Sequence, residues 1–105
     1  MNITSGRLKG AKIGPMNHDG VRPTTDRMRQ AIFNAISHQI DLASPNMEVL
    51  DLCAGTGALG LEALSRGAKR CIFVEKNPLV AEEIRKTMNA CGINKEESPI
   101  AISDA

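Results

Sequence analysis

The sequence predicts an α/β fold in which a parallel sheet is flanked by helices. From Met47 onwards, short apolar runs alternate with helix-length amphipathic stretches, which is the pattern of a βαβαβ unit. A glycine-rich turn joins the first apolar run directly to a helical stretch. The 105 residues are 42% hydrophobic and include only two aromatic residues, so we expect one compact domain with an aliphatic core.

A basic amino-terminal arm and loop, residues 1–23, is predicted to precede the α/β domain of residues 24–105. Residues 1–14 place isolated aliphatic side chains among glycines and cations, which predicts a basic hairpin or arm with little share in the core. Residues 1–29 carry six cations and two acids, or +4, whereas the remainder carries seven and ten, or −3. This asymmetry is compatible with a polyanionic partner, although an ordinary solvated segment would explain it equally well.

A first helix is predicted to begin at Thr24 or Thr25, either of which can cap it, and to run to about Ile40. Arg29 and other polar side chains are expected to face away from its apolar side. The apolar residues recur every four positions and predict one buried stripe: Met28, Ile32, Ile36 and Ile40.

Three strands are predicted, at Met47–Leu52, Arg70–Glu75 and Pro99–Ser103. One connecting helix should end near Arg66, with a glycine as its left-handed cap. The other should be capped by Asn77, with proline in its first position. The fold is therefore expected to stop after its third strand.

The glycine-rich turn is the strongest functional signal. Gly55 and Gly57 allow the backbone to turn sharply and approach a ligand, and the helix that follows offers unpaired N–H groups. With Gly60 they also fit a dinucleotide fingerprint, which by itself is weak evidence of function. Asp51, four residues earlier, disfavours a pyrophosphate and suits a cationic methyl donor instead. It could alternatively do no more than cap the turn.

Acidic residues also follow the other two strands. Glu75 lies 24 residues after Asp51, close to the spacing at which an acid accepts hydrogen bonds from ribose hydroxyls. Asp104 could reach the amine of an adenine, or be an exposed terminal acid. The predicted cofactor-binding residues are Asp51, Ala54, Gly55, Thr56, Gly57, Glu75, Lys76 and Asp104.

Three segments, in this order, give the chain a resemblance to a known family: Ile3–Gly10, Arg22–Asn34 and Val49–Asn77. The sequence resembles the RsmD-type small-subunit (16S) ribosomal RNA methyltransferases, which methylate the N2 amine of a guanine. The resemblance implies a Rossmann-like methyltransferase fold that depends on S-adenosyl-L-methionine. It places Asp51 and the turn around the methionine part of the cofactor, Glu75 at the ribose and Asp104 beside the adenine.

The resemblance also implies a ribosomal RNA substrate, either free or in an assembled small subunit. Cations of the arm and the following loop would then contact RNA phosphates. They are Arg7, Lys9, Lys12 and Arg22.

One departure from the family pattern is expected to limit activity. Methyltransferases that act on exocyclic amines resemble one another in an Asn/Asp-Pro-Pro-aromatic motif, and no Pro-Pro pair occurs here. We therefore expect a fragment, a truncated product or a partner-dependent subunit, inactive alone and without catalytic residues of its own. A non-catalytic nucleotide- or RNA-binding module and a fragment of an NAD-dependent oxidoreductase are the alternatives.

Other classes of site and location are disfavoured. His18 and His38 do not form a metal-ligand pattern, and the three widely spaced cysteines suggest neither zinc nor a disulfide framework, so no metal is expected. No apolar run approaches the roughly 18 residues of a membrane span and no secretory signal is apparent. A cytoplasmic protein that does not contact membranes is predicted.

Overall fold

The computed structural model describes residues 1–14, 25–52 and 54–103. Its three strands form a parallel sheet in the order β1-β2-β3. The elements, in chain order, are α1 (Asp26–Ile36), β1 (Glu48–Leu52), α2 (Ala58–Ser65), β2 (Arg70–Glu75), α3 (Pro78–Ala90) and β3 (Ile100–Ile102).

The βαβαβ prediction is confirmed, with each strand within two residues of its expected bounds. Residues from Glu48 to Leu52 pair with Arg70 to Val74, and Phe73 to Glu75 pair with the three residues of β3. The helix α2 lies very close to the sheet, because a Cβ at Gly60 would come within 2.4 Å of the Phe73 ring. Glycine is therefore required at this helix–strand contact.

The cap signals of α3 are also confirmed. The Asn77 side chain accepts a hydrogen bond from the Leu79 N–H at 2.9 Å, and Pro78 occupies the first turn. Val80, Ile84 and Met88 recur every four residues along the helix and are buried in the core. Local capping chemistry and apolar spacing thus agree with the packing of this helix.

The arm takes a larger share of the core than we predicted. Its two ends form an antiparallel bridge between Asn2 and Lys12, as a hairpin would. The expectation of little burial is wrong, however, because Ile3 and Ile13 are almost fully buried in the main core cluster, with Leu8 packed against it. Next to the bridge, alternation of side chains places Ile3 and Ile13 towards the domain and their neighbours Asn2 and Lys12 outwards.

The prediction for α1 is wrong in its end and in its buried face. The helix ends at Ile36, where Ser37 donates its hydroxyl hydrogen bond to the Asn34 carbonyl, an alternative to continued helix. The expected stripe is largely exposed, with Met28 58% accessible, whereas Arg29 and Phe33 are buried. The helix therefore contacts the domain through an ion pair and a ring rather than through its isoleucines.

Candidate functional site

The candidate site lies where β1 and β2 end side by side. The two strands are paired in parallel, so Asp51 near the end of β1 and Glu75 at the end of β2 lie at one edge of the sheet. The glycine turn leaves β1 at this edge and leads into α2. Parallel α/β sheets bind ligands at this edge.

The turn is held in a conformation that requires glycine at two positions. Gly55 and Gly57 have φ angles of 56° and 78°, in the left-handed region. The turn is tied to β2 by the Ala54 N–H, which donates to the Val74 carbonyl at 2.8 Å. The Thr56 hydroxyl accepts from the Ala58 N–H at 3.2 Å, at the start of α2. The turn is thus preformed and presents backbone to the sheet edge.

Glu75 connects the two sides of this site. One carboxylate oxygen accepts from the Gly55 N–H at 3.0 Å, and the other accepts from the Asn77 N–H, also at 3.0 Å. The residue is buried, so its orientation is fixed by the turn and by the start of α3. Each carboxylate oxygen has a second lone pair, which could accept a hydrogen bond from a ligand hydroxyl.

Asp51 is the second buried acid at this edge, with 8% of its surface exposed. Its carboxylate accepts a hydrogen bond from the Gly60 N–H at 3.1 Å, so it does cap the α2 turn, as the alternative interpretation expected. Burial raises the pKa of Asp51 to about 6; the Gly60 hydrogen bond opposes this, and the negative charge of Glu75 adds to it. A positive charge beside Asp51 would offset this cost of burying the carboxylate. Capping alone does not explain why a charged residue is buried here.

The structure brings together most of the predicted cofactor-binding residues. Ala54 and Thr56 are buried in the turn, and Lys76 is exposed immediately after Glu75. Asp104 lies outside the described residues, as does Cys53 within the turn. The prediction for the adenine end of the site is therefore not tested.

Three of the four predicted RNA-contacting cations lie on the arm, which is attached away from this edge. Arg7, Lys9 and Lys12 are all exposed on the arm, and Arg22 lies outside the described residues. The arm is attached at the carboxyl end of α2, where the Arg7 N–H donates to the Ser65 carbonyl at 2.9 Å. With a rise of 1.5 Å per residue, the eight residues of α2 separate this contact from the glycine turn by about 12 Å.

A buried ionic network, which was not predicted from the sequence, attaches the arm and α1 to α2. Glu62 is fully buried and accepts from the Thr4 and Ser5 N–H groups at 3.0 and 3.1 Å. The fully buried Arg29 and the partly buried Arg66 each donate to it at 3.0 Å. Burial alone would raise the pKa of Glu62, but these hydrogen bonds outweigh it and hold the pKa below its usual value.

A signal for this network was present in the sequence. Glu62 is the only charged residue in α2, whose other side chains are apolar or small. A charge on a buried helix needs a partner, because a desolvated, unpaired ion is costly. The partner could not be chosen from the sequence, since Arg29 lies 33 residues away.

The described residues contain no group of three or more His, Cys, Asp or Glu side chains placed to hold a metal ion. Their helices are too short or too polar to cross a bilayer. Burial raises the pKa of the Cys71 thiol to about 12, so this cysteine is a structural residue rather than a nucleophile.

Comparison with known proteins finds relatives whose sequences match most of this chain. A family model described as "Conserved hypothetical protein 95" matches residues 1–105. Ribosomal RNA small subunit methyltransferase D of Haemophilus influenzae is 35% identical over 95% of this chain and 50% of its own length. The protein of the same name from Escherichia coli is 38% identical over 84% of this chain and 42% of its own length.

A solved structure gives the same result for the fold. The protein yhhF from Escherichia coli, described as a candidate methyltransferase, superimposes with a TM-score of 0.82 at 30% identity. The match covers 100% of this chain and 53% of that protein. The chain thus spans about half the length of the relatives it matches, and its α/β fold is that of methyltransferases.

Proposed function

We propose that this chain, which belongs to the family described as "Conserved hypothetical protein 95", forms the S-adenosylmethionine-binding half of a ribosomal RNA methyltransferase. The observation that carries the proposal is the pair of buried acids, Asp51 and Glu75, on either side of a preformed glycine turn. The names of the relatives support the reaction class and the RNA substrate.

The donor set fits this cofactor. Glu75 has the free lone pairs to accept hydrogen bonds from ribose hydroxyls, and its orientation is fixed by the Gly55 and Asn77 N–H groups. Asp51 would lie beside the cationic methionine end, where a positive charge offsets its desolvation. When bound, S-adenosylmethionine supplies an electrophilic methyl group. Ionised Asp51 beside the glycine turn would repel the pyrophosphate of NAD, which argues against the oxidoreductase alternative.

The RNA partner is proposed from the arm. Arg7, Lys9 and Lys12 are exposed on one short segment whose backbone is fixed to α2 through Glu62 and Ser65. Fixed cations lose little freedom when they bind a phosphate backbone, and each contact releases counterions. We propose a cytoplasmic protein, since ribosomal RNA is its substrate.

We propose that methyl transfer requires residues that lie beyond the half of the relatives' sequences that this chain matches. The 105 residues contain no Asn/Asp-Pro-Pro-aromatic segment to position a base amine. The chain alone should therefore bind cofactor without turning over RNA.

Calorimetric titration with S-adenosylhomocysteine tests the cofactor site. We expect saturable binding that is lost in Asp51→Ala and Glu75→Gln and kept in the control Glu97→Gln, which removes an exposed carboxylate far along the chain. Binding of NAD in preference to S-adenosylhomocysteine would support the oxidoreductase alternative. Indifference of a folded chain to both ligands would refute the cofactor site and leave an RNA-binding module.

Fluorescence anisotropy with a ribosomal RNA hairpin tests the arm. The slope of log affinity against log salt should become shallower by roughly one in each of the single variants Arg7→Ala and Lys9→Ala, because each lacks one cation that binds a phosphate. The control Lys86→Ala removes an exposed lysine from α3 and should leave the slope unchanged. If the slopes of all three variants equal that of the unmodified chain, the arm does not bind the RNA.

A further inference from the structure

A cavity lies between the arm and the segment that joins α1 to β1, and we call it the arm cavity. It has a volume of about 340 Å³. Its polar lining comes from the arm at Ser5, from the joining segment at Asp41 and from the end of α2 at Arg66. Pockets that bind small ligands have volumes of roughly 300–1,000 Å³, so this cavity is large enough to hold one nucleotide base.

We propose that the arm cavity binds one unpaired base of the RNA substrate, that it prefers guanine, and that this base is not the one that is methylated. The proposal rests on the proposed RNA substrate and adds a second point of recognition to it. The eight residues of α2 separate the cavity from the glycine turn by about 12 Å. A base bound in the cavity is therefore too far from the cofactor to accept its methyl group.

The guanidinium of Arg66 is the first argument, because it forms a flat surface that is held in place. It lies over the Phe33 ring, 5.1 Å from the ring centroid. Its Nε donates to Glu62 at 3.0 Å, and its terminal nitrogens donate to Asn34 and Thr4 at 3.4 and 3.3 Å. Phe33 does not line the arm cavity, so its ring does not cover the part of the guanidinium that meets the cavity. Unpaired RNA bases stack on guanidinium planes of this kind.

The carboxylate of Asp41 is the second argument, because it supplies acceptors for the edge of a base. One oxygen accepts from the Ala43 N–H at 3.0 Å, which fixes the orientation of the side chain. Among the described residues this N–H is its only hydrogen-bond donor, so the other oxygen is available to a ligand. Guanine presents two adjacent donors, N1–H and N2–H, to a carboxylate. The other three bases present donors at a single position on that edge, so guanine is preferred.

The charge of the lining favours a base over a phosphate. Arg66 pairs with the buried Glu62, and Glu62 pairs in turn with Arg29. Asp26 also pairs with Arg29, so these two cations and two acids carry no net charge together. Within the part of the chain that the structure describes, Asp41 forms no ion pair, and its charge would repel a phosphate in the cavity.

The position of the cavity beside the arm cations is the third argument. Gly6 lines the cavity, Arg7 follows it directly, and Lys9 lies two positions further on. Both cations are exposed. Phosphates and bases alternate along an RNA strand, so a strand whose phosphates bind the arm brings a base to the cavity.

Titration with guanosine and inosine monophosphates, followed through the backbone amide NMR signals of the chain, tests the choice of base. The two nucleotides differ only in the N2 amine. We expect signals of Gly6 and Ala43 to shift, and guanosine monophosphate to bind about tenfold more tightly, because inosine offers one donor fewer to Asp41. S-adenosylhomocysteine is present throughout, so that the nucleotides do not enter the candidate cofactor site.

Single variants test the two groups that hold the base. Asp41→Asn removes one acceptor and should bring the two affinities within about twofold of each other. The control Glu97→Gln neutralises an exposed acid outside the cavity and should keep the preference for guanine. Arg66→Lys keeps the charge opposite Glu62 but lacks the flat surface, so both nucleotides should bind about tenfold more weakly. Thermal unfolding checks that each variant is folded. Since Asp41 is exposed, the ratio of affinities in Asp41→Asn decides the matter even if Arg66→Lys does not fold.

Equal affinity of the parent chain for the two nucleotides would overturn the proposal. So would equal shifts on adding inorganic phosphate, which would indicate an anion site, or shifts confined to residues 55–57, which would place the base at the cofactor edge. These outcomes differ from a failure of the cofactor site, in which the chain does not bind S-adenosylhomocysteine but still shows the guanine preference at Gly6 and Ala43.

Fluorescence anisotropy with an RNA hairpin that has unpaired guanines in its loop connects the cavity to RNA. Asp41→Asn should weaken binding about tenfold without making the salt dependence shallower, because it removes a contact to a base and not to a phosphate. Arg7→Ala should show the opposite behaviour. An unchanged affinity in Asp41→Asn would overturn the proposal. A chain that prefers guanosine monophosphate but does not bind the hairpin would overturn the assignment to RNA and leave the cofactor proposal intact.

Discussion

Replacing Asp51 by asparagine should stabilise the folded chain, although it removes a residue that we place in the cofactor site. The substitution keeps the shape of the side chain and an oxygen that can accept the Gly60 hydrogen bond. It removes the ionised form, which burial disfavours, and replaces the other carboxylate oxygen by an amide NH2 group. The pKa of Asp51 rises from 3.8 to about 6 in the folded chain, which corresponds to about 3 kcal/mol of destabilisation by the carboxylate at neutral pH.

The direction in which stability changes with pH follows from proton binding at Asp51. Between about pH 4 and pH 6 the folded chain binds a proton at Asp51 that the unfolded chain has released, so stability falls as the pH rises through this window. Below pH 4 both states carry the proton and the penalty vanishes. The asparagine variant has no such step, so its advantage should grow from near zero at about pH 4 to its full value above about pH 6.5.

Urea denaturation of both proteins from about pH 4 to about pH 7.5 measures the difference. At neutral pH the midpoint of the variant should be higher by roughly 2 M, given slopes of about 1–3 kcal/mol/M for small proteins. The contribution of Glu62 is common to both proteins and cancels, whereas the repulsion between Asp51 and Glu75 is part of the difference that is measured. A variant that is no more stable than the parent at neutral pH, or a difference that is flat with pH, would refute the reasoning about Asp51.

Three further outcomes follow from the same contacts. If ionised Asp51 is required for cofactor binding, S-adenosylhomocysteine should bind about tenfold more weakly at pH 5 than at pH 7, since only the ionised fraction is competent; calorimetry at the two pH values measures this. Glu62→Gln should cost about 3–5 kcal/mol in urea denaturation, because it removes the buried carboxylate charge that is paired with both Arg29 and Arg66; a cost below about 1 kcal/mol would contradict this account. Gly6→Ala should cost about 1–3 kcal/mol more than Gly10→Ala, because both glycines have φ near +87° but only at Gly6 would a Cβ meet backbone, 1.9 Å from the Ser65 oxygen. Equal thermal stability of the two alanine variants would argue against that close approach.

The elements that were predictable from sequence are those with local signals at their ends. Asn77 followed by Pro78 indicated the start of α3, and a left-handed Gly67 marked the end of α2. The strand β2 has the bounds that were predicted, because its residues form one apolar run between polar neighbours. Such signals act within a few residues, so they do not depend on the rest of the fold.

The behaviour of α1 could not be predicted in the same way. Its periodicity correctly identified an apolar side, but periodicity does not say whether protein covers that side. The side that is buried is set instead by Glu62, because this buried carboxylate pairs with Arg29, which lies 33 residues earlier in the sequence. The same applies to the arm, where Ile3 is buried in a cluster most of whose members lie more than 50 positions away.

The candidate site was partly predictable. Asp51 and Glu75 were identified from their spacing and from their positions at the ends of predicted strands. Because these strands pair in parallel, their ends lie side by side. The hydrogen bond from Gly60 to Asp51 and the raised pKa of Asp51 were not predicted, because they depend on how closely α2 approaches the sheet at Gly60.

The attachment of the arm to α2 has a consequence for biosynthesis. Thr4 and Ser5 are synthesised before the Glu62 carboxylate that binds them, which follows 58 and 57 residues later, respectively. The arm therefore has no docking partner until most of the sheet's first unit has emerged, and its burial closes a long loop. A fusion partner placed before Met1 would sit beside this late-closing segment, whereas removal of the arm would take Ile3 and Ile13 out of the core and expose Glu62.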